Sequence, residues 1–305
     1  MAIKEVIDRF DAIGQRWIDD VTTVKPSDVP NTLYHYTNAA GLHGMLSNNA
    51  VWLTDSRFLN DKTEGSHYID LAKGLVLDRK SKTRAKAAGL FYDGIIERLP
   101  GLSGNFDAYI FSLSDKEDDL SQWRGYAAEG SGFTVGFSGP DIHNHATEDQ
   151  PYYHFGKIEY DHDRQLYIIG SILDELEKQL VKELARSDHP GLEEVAKEAA
   201  KTYVWTLDNR SAFSKHRSFS GEGEWRMVIY KDAKSTGTLV RTSSLGLVPY
   251  LSVEPAGAKT KLPITRIGIG PGFADSQVSI AVEALCLQTG YEPKYYFADT
   301  PYRRP

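Results

Sequence analysis

Leu33-Tyr34-His35-Tyr36-Thr37 and Val51-Trp52-Leu53-Thr54 read as two strands joined by a short helix. Pro26 and Pro30 close the segment before the first strand. Asn38 can cap the helix, Leu42, Met45 and Leu46 form its inner stripe, and Asn48-Asn49 end it. Side chains alternate along a strand, so Leu33, His35 and Thr37 share one face while Tyr34 and Tyr36 take the other.

Working outward, Ile3, Val6, Ile7, Phe10, Ile13, Trp17, Ile18 and Val21 recur at helical spacing, which predicts an amphipathic helix over 1–21. A polar loop, Phe58 to Glu64, leads to helices over about Gly65–Leu77 and Lys82–Leu99. Ala108–Ser114 reads as a buried strand, and Asp119 or Ser121 starts a short helix holding Trp123 and Tyr126. The turn Gly130-Ser131-Gly132 leads to a strand at Phe133–Phe137. After a loop rich in His, Asn and Asp comes another strand, Phe155–Tyr160. Two long Glu-, Lys- and Leu-rich patterns, Arg164–Leu184 and Leu192 to about Asn209, predict a helical insertion over about 161–212. Strands follow at Glu224–Tyr230 and Leu239–Arg241. Strand Ile264–Ile269, helix Ser276–Gln288 and strand Tyr295–Ala298 finish the chain. The expectation is one α+β domain over 1–305: a central mixed sheet, flanking helices and a helical insertion.

A chain of 305 residues can bury a substantial core, and 41% hydrophobic with 25% charged residues fits a globular protein. No apolar run approaches the roughly 20 residues of a membrane span, so no membrane partner is expected. The segment 1–21 mixes acids and bases and lacks the apolar stretch of a secretory signal. The lone cysteine, Cys286, excludes an internal disulfide and a Cys-rich zinc site, and the cytoplasm is the expected compartment. A net charge of -7 disfavours attraction of the whole protein to nucleic acid.

Two clusters can carry chemistry. His35 and Thr37 on one strand face can hold ribose hydroxyls; equally, a core His bonded to a carbonyl beside a β-branched Thr accounts for them. Downstream, Glu222, Glu224 and Arg226 are expected on one face, with Gly223 and Trp225 turned away. Arg226 and Lys215 can offset the repulsion between the two acids, and such a carboxylate can stabilise positive charge developing at an anomeric carbon. The bland counterpart is an exposed edge strand carrying a Glu/Arg pair. Asp115 to Asp119 lacks the spacing of a calcium loop and reads as a turn and helix start. Asp161-His162-Asp163 has no partner at ligand spacing, and Gly268 to Gly272 lacks the dinucleotide fingerprint, so no metal is expected.

Tyr34-His35-Tyr36-Thr37, Asn60-Asp61 with Glu64, Phe111-Ser112-Leu113-Ser114, Trp123 with Tyr126, Phe213 with Lys215, Glu222-Gly223-Glu224-Trp225-Arg226 and Pro301-Tyr302-Arg303 occur in an order that resembles a bacterial family classed as a domain of unknown function. Members related to abortive-infection AbiGi proteins look similar. The opening segment also resembles DarT-type ADP-ribosyltransferases, which implies an ADP-ribosyltransferase-like sheet, NAD as substrate and no metal. On that resemblance His35 and a late acid are catalytic, Glu224 being preferred to the alternative, Glu222, because it lies deeper in the strand. His35, Tyr36, Thr37, Asn60, Asp61, Glu64, Ser112, Ser114, Trp123, Tyr126, Lys215, Glu222 and Arg226 line the NAD site. Where that superfamily places a stacking Tyr, this strand offers Phe111, Ser112 and Ser114, with Tyr109 nearer its start; the stacking residue stays unassigned. The implied function is ADP-ribosyl transfer from NAD to a protein or nucleic-acid acceptor in phage defence or as a toxin, with an antitoxin or defence-system partner. NAD glycohydrolysis and nucleotide or partner binding without turnover are the alternatives.

Overall fold

In the computed structural model the described residues are 3–59, 66–102, 106–147, 153–186, 190–232, 237–243, 246–255, 260–273 and 277–302. In chain order the elements begin with helix α1 (Ile3–Thr22), strand β1 (Thr32–Thr37), α2 (Ala39–Asn48), β2 (Val51–Asp55), α3 (Ser66–Lys82), α4 (Lys86–Arg98) and β3 (Phe106–Ser114). Then come α5 (Leu120–Tyr126), β4 (Phe133–Ser138), α6 (Gly139–Thr147), β5 (Tyr153–Lys157), α7 (His162–Leu184) and α8 (Leu192–Ser211). The chain closes with β6 (Glu224–Asp232), β7 (Leu239–Ser243), β8 (Gly246–Val253), β9 (Ile264–Ile269), α9 (Gln277–Thr289) and β10 (Lys294–Phe297).

The chain divides into two compact units. One, built from residues 1–23, 59–107 and 158–220, is helical. It joins the N-terminal helix, α3, α4 and the two helices that separate β5 from β6 in sequence. Phe10, Phe91, Tyr203, Leu173 and Leu207 are fully buried at its centre. Helix α1 lies close on α8, because a Cβ on Gly14 would meet Thr206 Oγ1 at 2.6 Å. A two-bond pair, Arg9 to Glu183 at 2.6 and 2.9 Å, ties α1 to α7.

The other unit, residues 24–58, 108–157 and 221–305, carries the sheet. Its strand order is β10-β9-β4-β1-β3-β2-β8-β7, with β6 pairing to β3 and β5 pairing to β6. β9 and β10 are parallel, whereas β1–β4, β4–β9, β2–β8, β7–β8 and β5–β6 are antiparallel, so the sheet is mixed. Helices α2, α6 and α9 contribute Leu42, Met45, Ile142, Val282 and Cys286 to the core on one sheet face, with Leu33, Phe111, Phe137, Phe155 and Met227. Tyr34, Tyr36, Trp123 and Ala127 cluster separately, as the period-two pattern of β1 requires.

Several sequence signals work as expected. Asn38 accepts the Gly41 amide at 2.8 Å to start α2, and Asn49 ends it in the left-handed region at φ 52°. Asp119 caps α5, and Asp161, in the cluster weighed as a metal ligand, caps α7 through the Arg164 amide at 2.8 Å. Three readings need correction. The expected loop after β4 is helix α6; Pro140 fits its first turn, where no amide donor is needed. Strand β5 starts and ends earlier than Phe155–Tyr160. Strand β8 is not among the expected strands; it lies between β2 and β7, and its Pro249 pairs with Val240.

Phe137 is fully buried and packs edge-on against Phe111 with centroids 6.0 Å apart. Phe137→Ala should cost about 3–5 kcal/mol by urea denaturation. A loss under about 1 kcal/mol would show that the sheet core collapses around the gap.

Candidate functional site

Strand β3 is where the sheet branches, since it pairs with β1, β2 and β6. Its ladder to β1 consists of the single pair Tyr34↔Ser114, while its ladder to β2 runs through Thr54↔Ile110 and Asp55↔Tyr109. His35 lies at the parting of β1 and β3. Its Nδ1 donates to the Ser112 carbonyl at 2.8 Å, and its ring stacks on Phe111 at 4.4 Å and 28°. A carbonyl only accepts, so Nδ1 carries the proton and the neutral ring keeps its lone pair on Nε2. No partner reaches Nε2 among the described residues. Burial pushes the His35 pKa down to about 4; the bond to Ser112 opposes the shift, and the charge of Arg241 adds to it. Part of the residue still meets solvent.

The same serine binds the late carboxylate. Ser112 Oγ donates to Glu224 Oε1 at 2.7 Å. Arg226 grips Glu224 with two bonds, Nε to Oε1 at 2.7 Å and Nη2 to Oε2 at 3.1 Å. Glu224 is 5% exposed and Arg226 1%. The pair is therefore buried, unlike the exposed edge-strand pair of the bland alternative. Leaving either charge alone would cost several kcal/mol. His35 reaches the Ser112 carbonyl, which lies in the plane of the sheet. Glu224 meets the hydroxyl, which leaves the sheet on the face opposite Phe111. One serine and two hydrogen bonds separate imidazole from carboxylate.

A second chain of contacts starts one strand period further on. Ser114 Oγ donates to the Glu222 carbonyl at 2.6 Å and accepts the Lys116 amide at 3.0 Å. The Tyr126 hydroxyl donates to Glu222 Oε1 at 2.7 Å, holding a half-exposed carboxylate. Glu222 ends a 3-10 turn, Arg217–Glu222, and does not share the strand face expected for it. Gly223 separates the acids at φ 54°, and a Cβ there would collide with the Asp115 carboxylate. Only glycine takes that conformation in that space without strain.

The remaining expected residues fall in different surroundings. Thr37 is buried, its hydroxyl so close to α2 that a Cβ on Gly41 would overlap it. Tyr36 donates to the Lys116 carbonyl at 3.0 Å and accepts the Asp119 amide at 3.1 Å, and burial raises its pKa. Trp123 is fully buried against Tyr36, with its Nε1 donating to Asp118 at 2.6 Å. Burial alone would raise the Asp118 pKa, but bonds from Thr300, Trp123 and two amides outweigh it and hold the group low. Tyr109 is also buried and meets Thr238 at 3.2 Å. Lys215 belongs to the helical unit, where its Nζ lies 4.7 Å from the Phe219 ring centroid and its carbonyl accepts from Gln165. Asn60, Asp61 and Glu64 lie outside the described residues. Among those described, no three His, Cys, Asp or Glu side chains are grouped to hold a metal ion. Among the described residues no helix is long and apolar enough to cross a membrane. Phe111, stacked on His35, is a positioning contact that the sequence left unassigned. The available signal was its place beside Ser112 on an alternating strand, which turns its ring away from the serine hydroxyl.

The profile of a family described as "Protein of unknown function (DUF2971)" matches residues 122–227, about a third of the chain. That stretch includes Trp123, Tyr126, Lys215, Glu222, Glu224 and Arg226, whereas His35 and Ser112 lie outside it. No curated protein and no solved structure matches the chain.

The depressed His35 pKa has a stability consequence. Between pH 6.5 and about 4 the unfolded chain takes a proton on His35 that the folded chain refuses. Its contribution is therefore whole above pH 6.5 and is lost as pH falls toward 4, at most about 3 kcal/mol. His35→Gln, whose amide can still donate to Ser112, should lose correspondingly less stability between pH 7 and 4.5. Parallel losses in urea titrations of the two proteins would reject this.

Proposed function

We propose that the sheet unit is an NAD-dependent ADP-ribosyltransferase site. The observation that carries the reading is Ser112, which bonds the early imidazole through its carbonyl and the late carboxylate through its hydroxyl. We assign the nicotinamide ribose to the parting of β1 and β3. There the free Nε2 lone pair of His35 can accept a ribose hydroxyl.

The C1–N bond to nicotinamide breaks with its electron pair leaving on the neutral base, and positive charge builds on the ribose. Glu224, nearly covered and with both oxygens bonded by Ser112 and Arg226, acts on that charge as a fixed field and not by contact with the ribose. An acceptor lone pair then bonds to C1, and its proton passes to a base. Glu222, half exposed and oriented by Tyr126, is suited to take it. An arginine on Glu224 weakens the field that the carboxylate presents. That ion pair favours a second reading, a nucleotide-binding protein of the same architecture without turnover. The acceptor and any defence-system partner belong to the proposal.

The test is NAD consumption and transfer of label from NAD to lysate protein, DNA or RNA. Glu224→Gln breaks a buried pair and can cost about 3–5 kcal/mol, so Glu222→Gln and His35→Gln accompany it. Labelled product from wild type, lowered about a hundredfold or more in folded variants, supports transfer. Free ADP-ribose without labelled macromolecule indicates glycohydrolysis instead. Tight ADP-ribose binding with no NAD loss selects the binding reading, and equal turnover in all four proteins removes these residues from catalysis.

A further inference from the structure

Arg241, on the edge strand β7, has no counter-carboxylate among the described residues. Its Nη2 donates to Thr54 Oγ1 at 2.9 Å, while its Nε is buried and meets no acceptor among the described residues. The guanidinium carbon lies 5.9 Å from the Trp52 ring centroid and 6.0 Å from that of Tyr250, and the two rings are 5.2 Å apart. Cross-strand register accounts for the grouping. Thr54 faces Tyr250, Tyr250 faces Leu239, and Trp52 and Arg241 each lie one strand period away, so all share one sheet face.

Several other arginines meet a carboxylate. Arg9 meets Glu183, Arg226 meets Glu224 and Arg266 meets Glu117. Burial lowers the Arg241 pKa, and the charge that opposes this comes from Tyr250. A half-buried cation whose Nε meets no acceptor among the described residues is costly until an anion offsets its charge. Its field reaches His35 as well. Guanidinium geometry suits a phosphate held by two parallel bonds, and flanking aromatic rings suit a planar base. The net charge of -7 opposes a long polyanion and favours a small one.

We propose that Arg241 and Thr54 bind a phosphate of a nucleotide whose base or sugar rests against Trp52 and Tyr250. The choice of a nucleotide over other phosphate esters rests on the function proposed above; the anion site itself does not.

The experiment is calorimetric titration of the full chain with ADP-ribose, ADP and adenosine, using wild type, Arg241→Gln, Arg241→Lys and Thr54→Val. ADP and ADP-ribose should bind wild type at least about tenfold more tightly than adenosine. Arg241→Gln should erase that advantage, Arg241→Lys should restore part of it, and Thr54→Val should give a smaller loss with the charge intact. Thermal melting of each variant separates lost binding from lost folding. Equal affinity of wild type and folded Arg241→Gln for ADP overturns the proposal, and so does failure of ADP and ADP-ribose to bind wild type. NAD turnover is measured on the same proteins. Arg241-dependent ADP binding without turnover removes the transferase reading and keeps the site. Turnover whose KM is unchanged in Arg241→Gln removes the site and keeps the transferase.

Discussion

Arg226 and Glu224 stand two residues apart on β6, almost fully covered by protein, and each makes the other's burial tolerable. Two charges in a low-dielectric interior are stable only when their geometry is good and their remaining bonding capacity is met. Here the two-bond contact supplies the geometry, and Ser112 on the neighbouring β3 takes a further lone pair. The pair thus fixes how β6 lies against β3 more sharply than apolar packing alone does. The opposite face of the same strands, with Phe111, Trp225 and Met227 in the core, is more permissive of small shifts.

From that junction the site takes its form. β3 serves three neighbouring strands, and at its parting from β1 an imidazole donates to a carbonyl. The bond fixes the tautomer of His35, and burial keeps the ring neutral. One strand period on, Ser114 and Tyr126 hold the backbone and side chain of Glu222. The result is a covered, rigid acid and an accessible one, separated by a glycine that no other residue replaces without strain.

Much of this was legible along the chain. Local signals gave the starts of α2 and α5, because an Asn or Asp side chain bonding an amide two or three residues away depends on neighbours in sequence. Alternation placed Tyr34 and Tyr36 apart from Leu33 for the same reason. Helix α6 forms where a stretch rich in His, Asn and Asp reads as a loop, and β8 forms where no strand is expected; packing onto the sheet, not local composition, decides both. Lys215 stood near the acids in sequence but belongs to the helical unit.

What residue order alone could establish was the period of each element, its caps and the presence of an early imidazole with late acids, since these depend on separations of a few residues. Folding alone could establish that Ser112 meets both His35 and Glu224, that the Glu224–Arg226 pair is covered, and that Arg241 has no acid beside it among the described residues. Those facts depend on which strands become neighbours and how much water is left between them. Pairing and solvation are properties of the assembled sheet, and no local spacing encodes them.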